Sequence, residues 1–511
     1  MHTLDETIEI SGTWWLPEKP EMRVSGILHF DGQKIELHLN ESFTPPTGDI
    51  RPGDPNPRYA VVHGVTIKAE AVTLFNAQQF GTSLNLGSGG FKQSSRIYAR
   101  VVAFGAYLPA DFQFLKVSFR VPGLQVWLGR QVIAREMILD EEKKLTGQSY
   151  SLGPLPDETF RICSIDATLS RDYSWSSDAD PFRSIRVDVS AWFSFQPDEG
   201  KAIDWFLGHH ETLLTMLSFL SGHPLVADAI QAKFDGSEHR ADILVSMQRD
   251  EQPAPSRPFD FFLLRSMITA PLEKYCNKWF EIAPTVENPA LLARSVMASK
   301  ELWTHMEFLS LMQALEGLHR ALYHGSYMDD SQYETVKAVL MEAIPDTVQR
   351  DHKDALKSRI RYGNQFSLQK RLDELTGMLP PQIRTKIFGN GGSVPRSWID
   401  TRNYYTHWDD ELRESVLNRQ SMYYANIRMR HFIRVLYVLL IGVDDADIEN
   451  AFKWPSRLAQ QLVQVNIVER RQADPSYVPQ AIMTISGGEE ADLGESSSGE
   501  VSDTQGESAS D

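Results

Sequence analysis

The sequence predicts an α+β multidomain protein: a β-rich N-terminal domain of sandwich or barrel-like type, an all-α C-terminal helical bundle, and a disordered acidic tail. Three observations carry this. The first ~195 residues hold many short strand-like stretches, several with apolar residues at period two, separated by turn signals. Near Asp198 their spacing changes to three and four residues, and the last stretch has no aromatics but many acids, serines and glycines. A chain of 511 residues is also too long for one core, so two or three domains are expected.

In the β-rich part, "SGILHFDGQKIELHLN" places an Asp31-Gly32 turn before Ile35, Leu37 and Leu39 at period two, the signature of a hairpin. "SIRVDVSAWFSF" alternates Ile185, Val187, Val189, Ala191, Phe193 and Phe195, which predicts a half-buried strand. "FKQSSRIYARVVAFGAYL" and "FLKVSFRVPGLQVW" add strands with Gly and Pro at the breaks. The first helix is expected in "PDEGKAIDWFLGHHETLLTMLSFLSG", which has an acidic first turn and Gly222 near its end. A second helical stretch from "SRPFDFF" is expected to be interrupted at Pro271, Pro284 and Pro289. "ELWTHMEFLSLMQALEGLHRALYHG" spaces Leu302, Met306, Leu309, Met312, Leu315 and Leu318 as a buried stripe. Three further amphipathic stretches, "SQYETVKAVLMEAI", "HKDALKSRIRYGNQFSLQKRLDELTGML" and "ELRESVLNRQSMYYANIRMRHFIRVLYVLLIG", complete an up-and-down bundle. The expected division is 1–197 for the β-rich domain, 198–298 for a helical connecting region, 299–445 for the bundle, 446–482 for a helical extension and 483–511 for the tail.

Composition excludes several classes. Hydrophobic residues at 42% and charged ones at 23% describe an ordinary globular protein. "MHTLDETIEI" lacks a basic start and apolar run, so no signal peptide is expected. "FIRVLYVLLIGV" contains Arg434 and falls short of the ~20 residues of a membrane span, so the expected location is cytoplasmic, with no membrane partner. Cys163 and Cys276 support neither a disulfide framework nor a thiolate metal site. "GSGGFKQSS" lacks P-loop order, and the adjacent His209 and His210 diverge on a helix and make a poor chelate. Trp14 and Trp15 suit a strand core better than a ligand groove. The net charge of −17 argues against a general nucleic-acid coat, but it is unevenly placed. Glu489 to Asp511 hold eight acids and no Lys or Arg, whereas residues 350–434 carry sixteen Lys or Arg against nine Asp or Glu, a local net of +7. Such a stretch is either solvated surface or the footprint of a polyanion.

That basic stretch contains "IDTRNYYTHWDD", with Arg402 and His407 five positions apart. With 14 histidines, such spacing arises by chance, and Arg58–His63 and Arg23–His29 in the β-rich region are chance matches. On an ideal helix, residues five apart lie ~140° around the axis. One chain's helix therefore brings both onto one phosphate only if it ends or bends within the motif, or if a second copy completes the site. Arg402 has a plain reading as the partner of Asp400, Asp409 or Asp410 in a surface ion network, and His407 as a cation at a helix end. Glu316 lies on a mostly apolar helix, where a lone carboxylate needs a partner, which predicts an arginine of the last helices beside it.

Segments in this order resemble a known family. "IDTRNYYTH" at the end of an all-helical domain is similar to the motif of the HEPN ribonucleases, with Asn403 in the polar position after Arg402 and His407 closing it. "FLSLMQALEGLHRAL" resembles the first long helix of the ApeA-like HEPN group, and "SGTWWLPEKPEMRVSGILHF" and "FRVPGLQVWLG" resemble the ApeA N-terminal domain. The resemblance implies an anti-phage, abortive-infection protein whose HEPN domain is a metal-independent ribonuclease needing no cofactor. It implies a homodimer through that domain, regulation by the N-terminal domain and a phage-derived trigger. The substrate is RNA, with tRNA a candidate. Arg402 and His407, with Asn403, are the catalytic candidates; Glu316, Asp400 and Tyr404 are supporting ones, and Tyr404 and Tyr405 are placed to stack on bases or in packing. Two other readings stand beside this: a non-catalytic HEPN dimer acting as a ligand-sensing or binding module in defence, and the HEPN half of a toxin–antitoxin pair.

Overall fold

The computed structural model describes residues 1–43, 56–87, 90–129, 132–153, 158–180, 182–233, 240–247 and 253–477, apart from the side chains of residues 82–93 and 390. The tail expected over 483–511 lies outside the described residues. Strands β1 (Ile8–Trp15), β2 (Val24–Phe30), β3 (Ile35–Leu39), β4 (Arg58–Thr66), β5 (Ala71–Gly87) and β6 (Gly90–Ala99) form a barrel. All neighbours are antiparallel, in the order β5-β4-β1-β2-β3-β6, and β6 returns to pair with β5. Closure leaves these six strands no free edge, which resolves the choice between sandwich and barrel.

Local chemistry sets the register. At the β2–β3 hairpin Gly32 takes φ of 84°, and the Asp31 carboxylate accepts from the backbone N–H groups of Gln33 (2.9 Å) and Lys34 (2.7 Å). Those bonds hold the Asp31 pKa below its ordinary value. Ile35, Leu37 and Leu39 then point inward as their spacing predicts. Trp14 on β1 faces Gly64 on β4, where a Cβ would lie 2.1 Å from the indole ring. Only glycine admits this fully buried ring, so Trp14 is core. Trp15 is also buried and is covered by the Arg23 guanidinium at 4.7 Å.

The sheet continues beyond the barrel. Strand β7 (Val101–Phe104) pairs with β5. Strand β8 (Lys116–Arg120), helix α1 (Leu124–Trp127), the separate hairpin β9 (Ile133–Leu139) and β10 (Leu145–Leu152), and strands β11 (Glu158–Ile162), β12 (Ala167–Asp180) and β13 (Ser184–Pro197) follow. The alternation expected in β13 holds only in part. From Ala191 to Phe195 every residue is buried, while Ile185 is exposed because the outer half of the β12–β13 ribbon extends past the core.

Residues 198–298 are not wholly helical. Helix α2 (Ile203–Ser221) has Asp204 in its first turn and ends at Gly222, φ 77°, as its stop signal predicts. Then β14 (Ala229–Lys233) and β15 (Arg240–Val245) join β8 to β7, so this segment completes the sheet. Their pairings are long-range and leave little local trace in five- and six-residue runs. Helix α3 (Leu272–Ala298) begins after Pro271 and runs unbroken through Pro284 and Pro289, against expectation. Tyr275, Trp279, Phe280 and Val286 are buried along it, at about 1.5–3 kcal/mol each, which outweighs ~3 kcal/mol per interior proline.

The remainder is helical: α4 (Thr304–Leu322), α5 (Asp330–Glu342), α6 (Arg350–Arg361), α7 (Leu368–Gly377), α8 (Pro381–Phe388), α9 (Arg396–His407), α10 (Arg419–Leu440), α11 (Asp445–Lys453) and α12 (Arg457–Ala473). Helix α4 packs against α3, α10, α7 and α9. Its stripe is correct at Met312, Leu315 and Leu318, but Leu302 and Met306 are exposed and Phe308 and Leu311 are buried instead. The single helix expected over 352–379 is two, because the chain turns at 362–367 and restarts where the Ser367 hydroxyl caps Lys370 N–H. Helix α2 joins the halves: His210 stacks on Phe119 of the sheet (3.8 Å) and Phe219 on Tyr437 of α10 (4.2 Å). Among the described residues no helix is long and apolar enough to cross a membrane. The net-positive stretch 350–434 is not one surface patch, since Arg371, Arg428 and Arg434 lie in the interior.

Candidate active site

Helix α9 is seated by its apolar side. Gly389 (φ 72°) and Gly392 (φ 57°) turn the chain before it, and Trp398 and Ile399 enter the core. The buried Thr401 hydroxyl accepts from Leu417 N–H at 2.9 Å, fixing the return toward α10. The helix ends at His407, with the motif: Trp408 just beyond takes φ of 54°, and its N–H reaches the Tyr404 carbonyl. A non-glycine residue there costs about 1–2 kcal/mol. Contacts of the Trp408 ring with Tyr404 (5.7 Å) and Tyr405 (5.9 Å) offset that cost.

The polar side of α9 carries Arg402 and Asn403. Arg402 Nη2 donates to Glu316 Oε2 on α4 at 3.2 Å, and Nη1 donates to Asn403 Oδ1 at 3.2 Å. The other carboxylate oxygen of Glu316 accepts from Arg320 Nε (3.1 Å) and Nη2 (3.0 Å), so one carboxylate holds two guanidiniums. This is the arginine partner expected for Glu316. Arg402 is half-buried and makes no ion pair with Asp400, Asp409 or Asp410. Asp400 pairs with Arg396 at 3.0 Å instead and is not brought to the Arg402 cluster.

His407 is exposed and has no hydrogen-bond or ion-pair partner among the described residues. Because α9 runs unbroken from Arg402 to His407, the two lie ~140° apart around the axis and ~7.5 Å apart along it. Asn403 is one helical turn before His407 and within ~40° of it, so it stands between the two. Tyr404 packs at 5.3 Å edge-on to Tyr405, and Tyr405 stacks on His305 of α4 at 5.6 Å. These rings make a half-exposed aromatic edge beside the motif.

Sequence reasoning missed the support beneath this cluster. His319 is fully buried, three residues after Glu316 on α4. Its Nδ1 receives a hydrogen bond from Arg371 Nη1 at 3.0 Å, and its Nε2 lies 2.8 Å from Glu374 Oε2. A guanidinium only donates, so Nδ1 is the acceptor and Nε2–H donates to Glu374. Burial lowers the Arg371 pKa, and the nearby Arg320 lowers it further. Glu316, His319 and Arg320 fall at i, i+3 and i+4 in "EGLHR", a spacing that places them on one helical face and was readable. Arg371 and Glu374 have no such local signal, since the fold alone brings α7 to α4. Among the described residues no group of three or more His, Cys, Asp or Glu side chains could hold a metal ion.

A family model described as ApeA N-terminal domain 1 matches residues 9–279, and one described as Apea-like HEPN matches residues 309–447. The first spans the barrel, the extended sheet, α2 and the start of α3; the second contains Glu316, Arg402, Asn403 and His407. No curated protein and no solved structure matches the chain.

Proposed function

Since the chain belongs to the ApeA family and is an anti-phage protein of the HEPN type, we propose that it is a metal-independent endoribonuclease. RNA carries its own nucleophile, the 2′-OH. The 2′-oxygen attacks the adjacent phosphorus, the bond to the 5′-oxygen breaks, and the products end in a 2′,3′-cyclic phosphate and a 5′-OH. One proton leaves the 2′-OH and one arrives at the 5′-oxygen. The His407 imidazole, without a hydrogen-bond or ion-pair partner among the described residues, can take or give a proton and suits one of these transfers. Arg402 stays charged and suits the extra negative charge of the transition state. Its two terminal nitrogens already hold Glu316 and Asn403, so Nε and the remaining N–H groups are left for phosphate. Asn403 orients that phosphate, and Tyr404 and Tyr405 offer faces to a base.

The observation that carries the proposal is the anchored Arg402–Asn403 pair with an unpartnered histidine one turn on. The divergence of Arg402 and His407 around α9 favours a composite site in which a second copy supplies the complementary half, so the working unit is a homodimer through the HEPN domain. Within it, residues 299–445 form the nuclease and the N-terminal domain regulates it in response to a phage-derived trigger. tRNA is the first substrate to test. End-group analysis decides the chemistry: cyclic-phosphate and 5′-OH ends formed in EDTA support it, and cleavage that stops in EDTA contradicts it.

A second reading has its own support. The Glu316–Arg402 ion pair and the outward His407 also suit a non-catalytic HEPN dimer that senses or binds a ligand in defence. Phage protection that persists in His407→Ala would favour this reading.

A further inference from the structure

A second polar site lies between the two halves of the chain, in a cavity of about 160 Å³ walled by α2, α3, α4, α10 and α12. Three arginines, Arg294, Arg430 and Arg434, line it against one acid, Glu307. Two of the three are satisfied: Arg294 is held by Glu211, Thr215 and the Leu225 carbonyl, and Arg430 Nε donates to Glu307 at 2.6 Å.

Arg434 differs. It is 3% exposed, yet among the described residues no carboxylate pairs with it. Its Nε has no hydrogen-bond partner among the described residues. Its other contacts are long, 3.4 Å to His431 Nδ1 and 3.5 Å to the Gly222 carbonyl, with the Phe262 ring beneath at 5.4 Å. His431 supplies no counter-charge. Its Nε2–H donates to the Leu458 carbonyl at 3.0 Å, and burial, with Arg434 beside it, holds its pKa well below the ordinary value. Burial also draws the Arg434 pKa down to about 9, with Arg430 adding to the effect. An unpaired buried guanidinium is costly, and native interiors rarely keep one without a ligand or counter-ion. The cavity also holds an orphan acceptor: Asn426 is 1% exposed, its amide donates to the Thr304 carbonyl, and its Oδ1 has no partner among the described residues.

We propose that this cavity binds the phosphate group of a small molecule, with phosphate oxygens on Arg434 and Arg430 and a ligand hydroxyl or N–H donating to Asn426 Oδ1. Arginine is the residue suited to phosphate because its fork matches two oxygens. The orphan acceptor adds a requirement that bare charge does not meet, namely a donor on the ligand. A hydrogen phosphate ion and a nucleoside monophosphate both satisfy it. The ligand would touch α10 and α12 from one half and α2 from the other. Helix α4, which brings Glu307 to the cavity, carries Glu316 nine residues on, so the ligand sits on the helix that anchors Arg402.

The test is calorimetric titration of the full chain with inorganic phosphate and, separately, with AMP, at constant ionic strength set by chloride. No RNA is present, so the outcome is independent of the nuclease reading. Saturable binding is expected, weakened at least about tenfold in Arg434→Met. The ligand-free melting temperature of Arg434→Met should equal or exceed that of wild type, because the substitution removes an uncompensated charge. Equal affinity for both probes would assign the site to free phosphate, and tighter AMP binding to a nucleotide. If Arg434→Met does not fold, Arg430→Gln reads the same loss of affinity. No saturable binding by wild type, or affinity unchanged in the variants, would overturn the proposal.

Discussion

Glu316 on α4 holds Arg402 on α9 across 3.2 Å while gripping Arg320 with its other oxygen. The motif arginine is therefore anchored from a different helix, and in the proposed nuclease Glu316 positions it. In Glu316→Gln the guanidinium keeps its charge but loses its anchor. RNA cleavage should fall by about 10–100-fold, while stability changes by no more than about 1 kcal/mol, as for half-exposed ion pairs. Single-turnover rates and urea midpoints on the same preparations check both parts. An unchanged rate would show that Glu316 does not position Arg402 for cleavage.

Arg402 should not be replaceable by lysine. Arg402→Lys retains a charge but not the fork that contacts Glu316 and Asn403 together. Loss of transition-state stabilisation by about 10²–10³-fold is expected in Arg402→Ala, with Arg402→Lys recovering only a minor part. Full activity in the lysine variant would show that the planar geometry is irrelevant.

Acid should weaken the fold through two buried histidines. In the unfolded chain an imidazole takes a proton near pH 6.5. Burial, with Arg294 adding to it, lowers the His210 pKa to about 3, and His431 is likewise held well below its ordinary value. The unfolded state therefore binds more protons across this window. Stability is complete above about pH 6.5 and is lost as pH falls, by about 1.4 kcal/mol per pH unit for each such histidine. His210 stacks on Phe119, and its Nε2 has no partner among the described residues. His210→Phe should thus be at least as stable as wild type at pH 8 and should lose that much of the slope between pH 6 and 5 (about one unit). Denaturant midpoints at several pH values measure it, and an unaltered slope would contradict the assignment.

The barrel depends on a single missing side chain. Gly64→Ala would place a methyl group 2.1 Å from the Trp14 ring. A loss of about 1–3 kcal/mol is expected in urea unfolding, as for other overpacked cores. Stability equal to wild type would mean that the ring has room to move.

Local signals made much of this legible in the sequence. The Asp31-Gly32 hairpin and the Gly222 stop are read from neighbours a few residues away, and both appear where their chemistry puts them. Barrel closure through β5 and β6, and the entry of β14 and β15 into the sheet, rest on distant pairings with no such trace. Helix α3 shows tertiary burial overriding two prolines. In the candidate site, Glu316 was legible because a carboxylate on an apolar helix needs a partner, and Arg402 meets that need. Asp400 was misplaced because proximity in sequence favoured Arg402, whereas the i,i+4 spacing to Arg396 decides its pairing. Arg434 was read as the charge interrupting an apolar run and as one charge in a basic stretch, and neither reading carries information on its burial.

If Arg402 and His407 cleave RNA without a metal, the reaction runs in EDTA and needs both side chains. The most direct measurement incubates the purified full chain with total RNA and with tRNA in EDTA, beside His407→Ala and Arg402→Ala, with phage-infected lysate added in a parallel series to supply a trigger. Discrete fragments with 2′,3′-cyclic phosphate ends are expected from wild type alone. Intact RNA in every lane, with and without lysate, or equal cleavage by His407→Ala, would rule out this nuclease site.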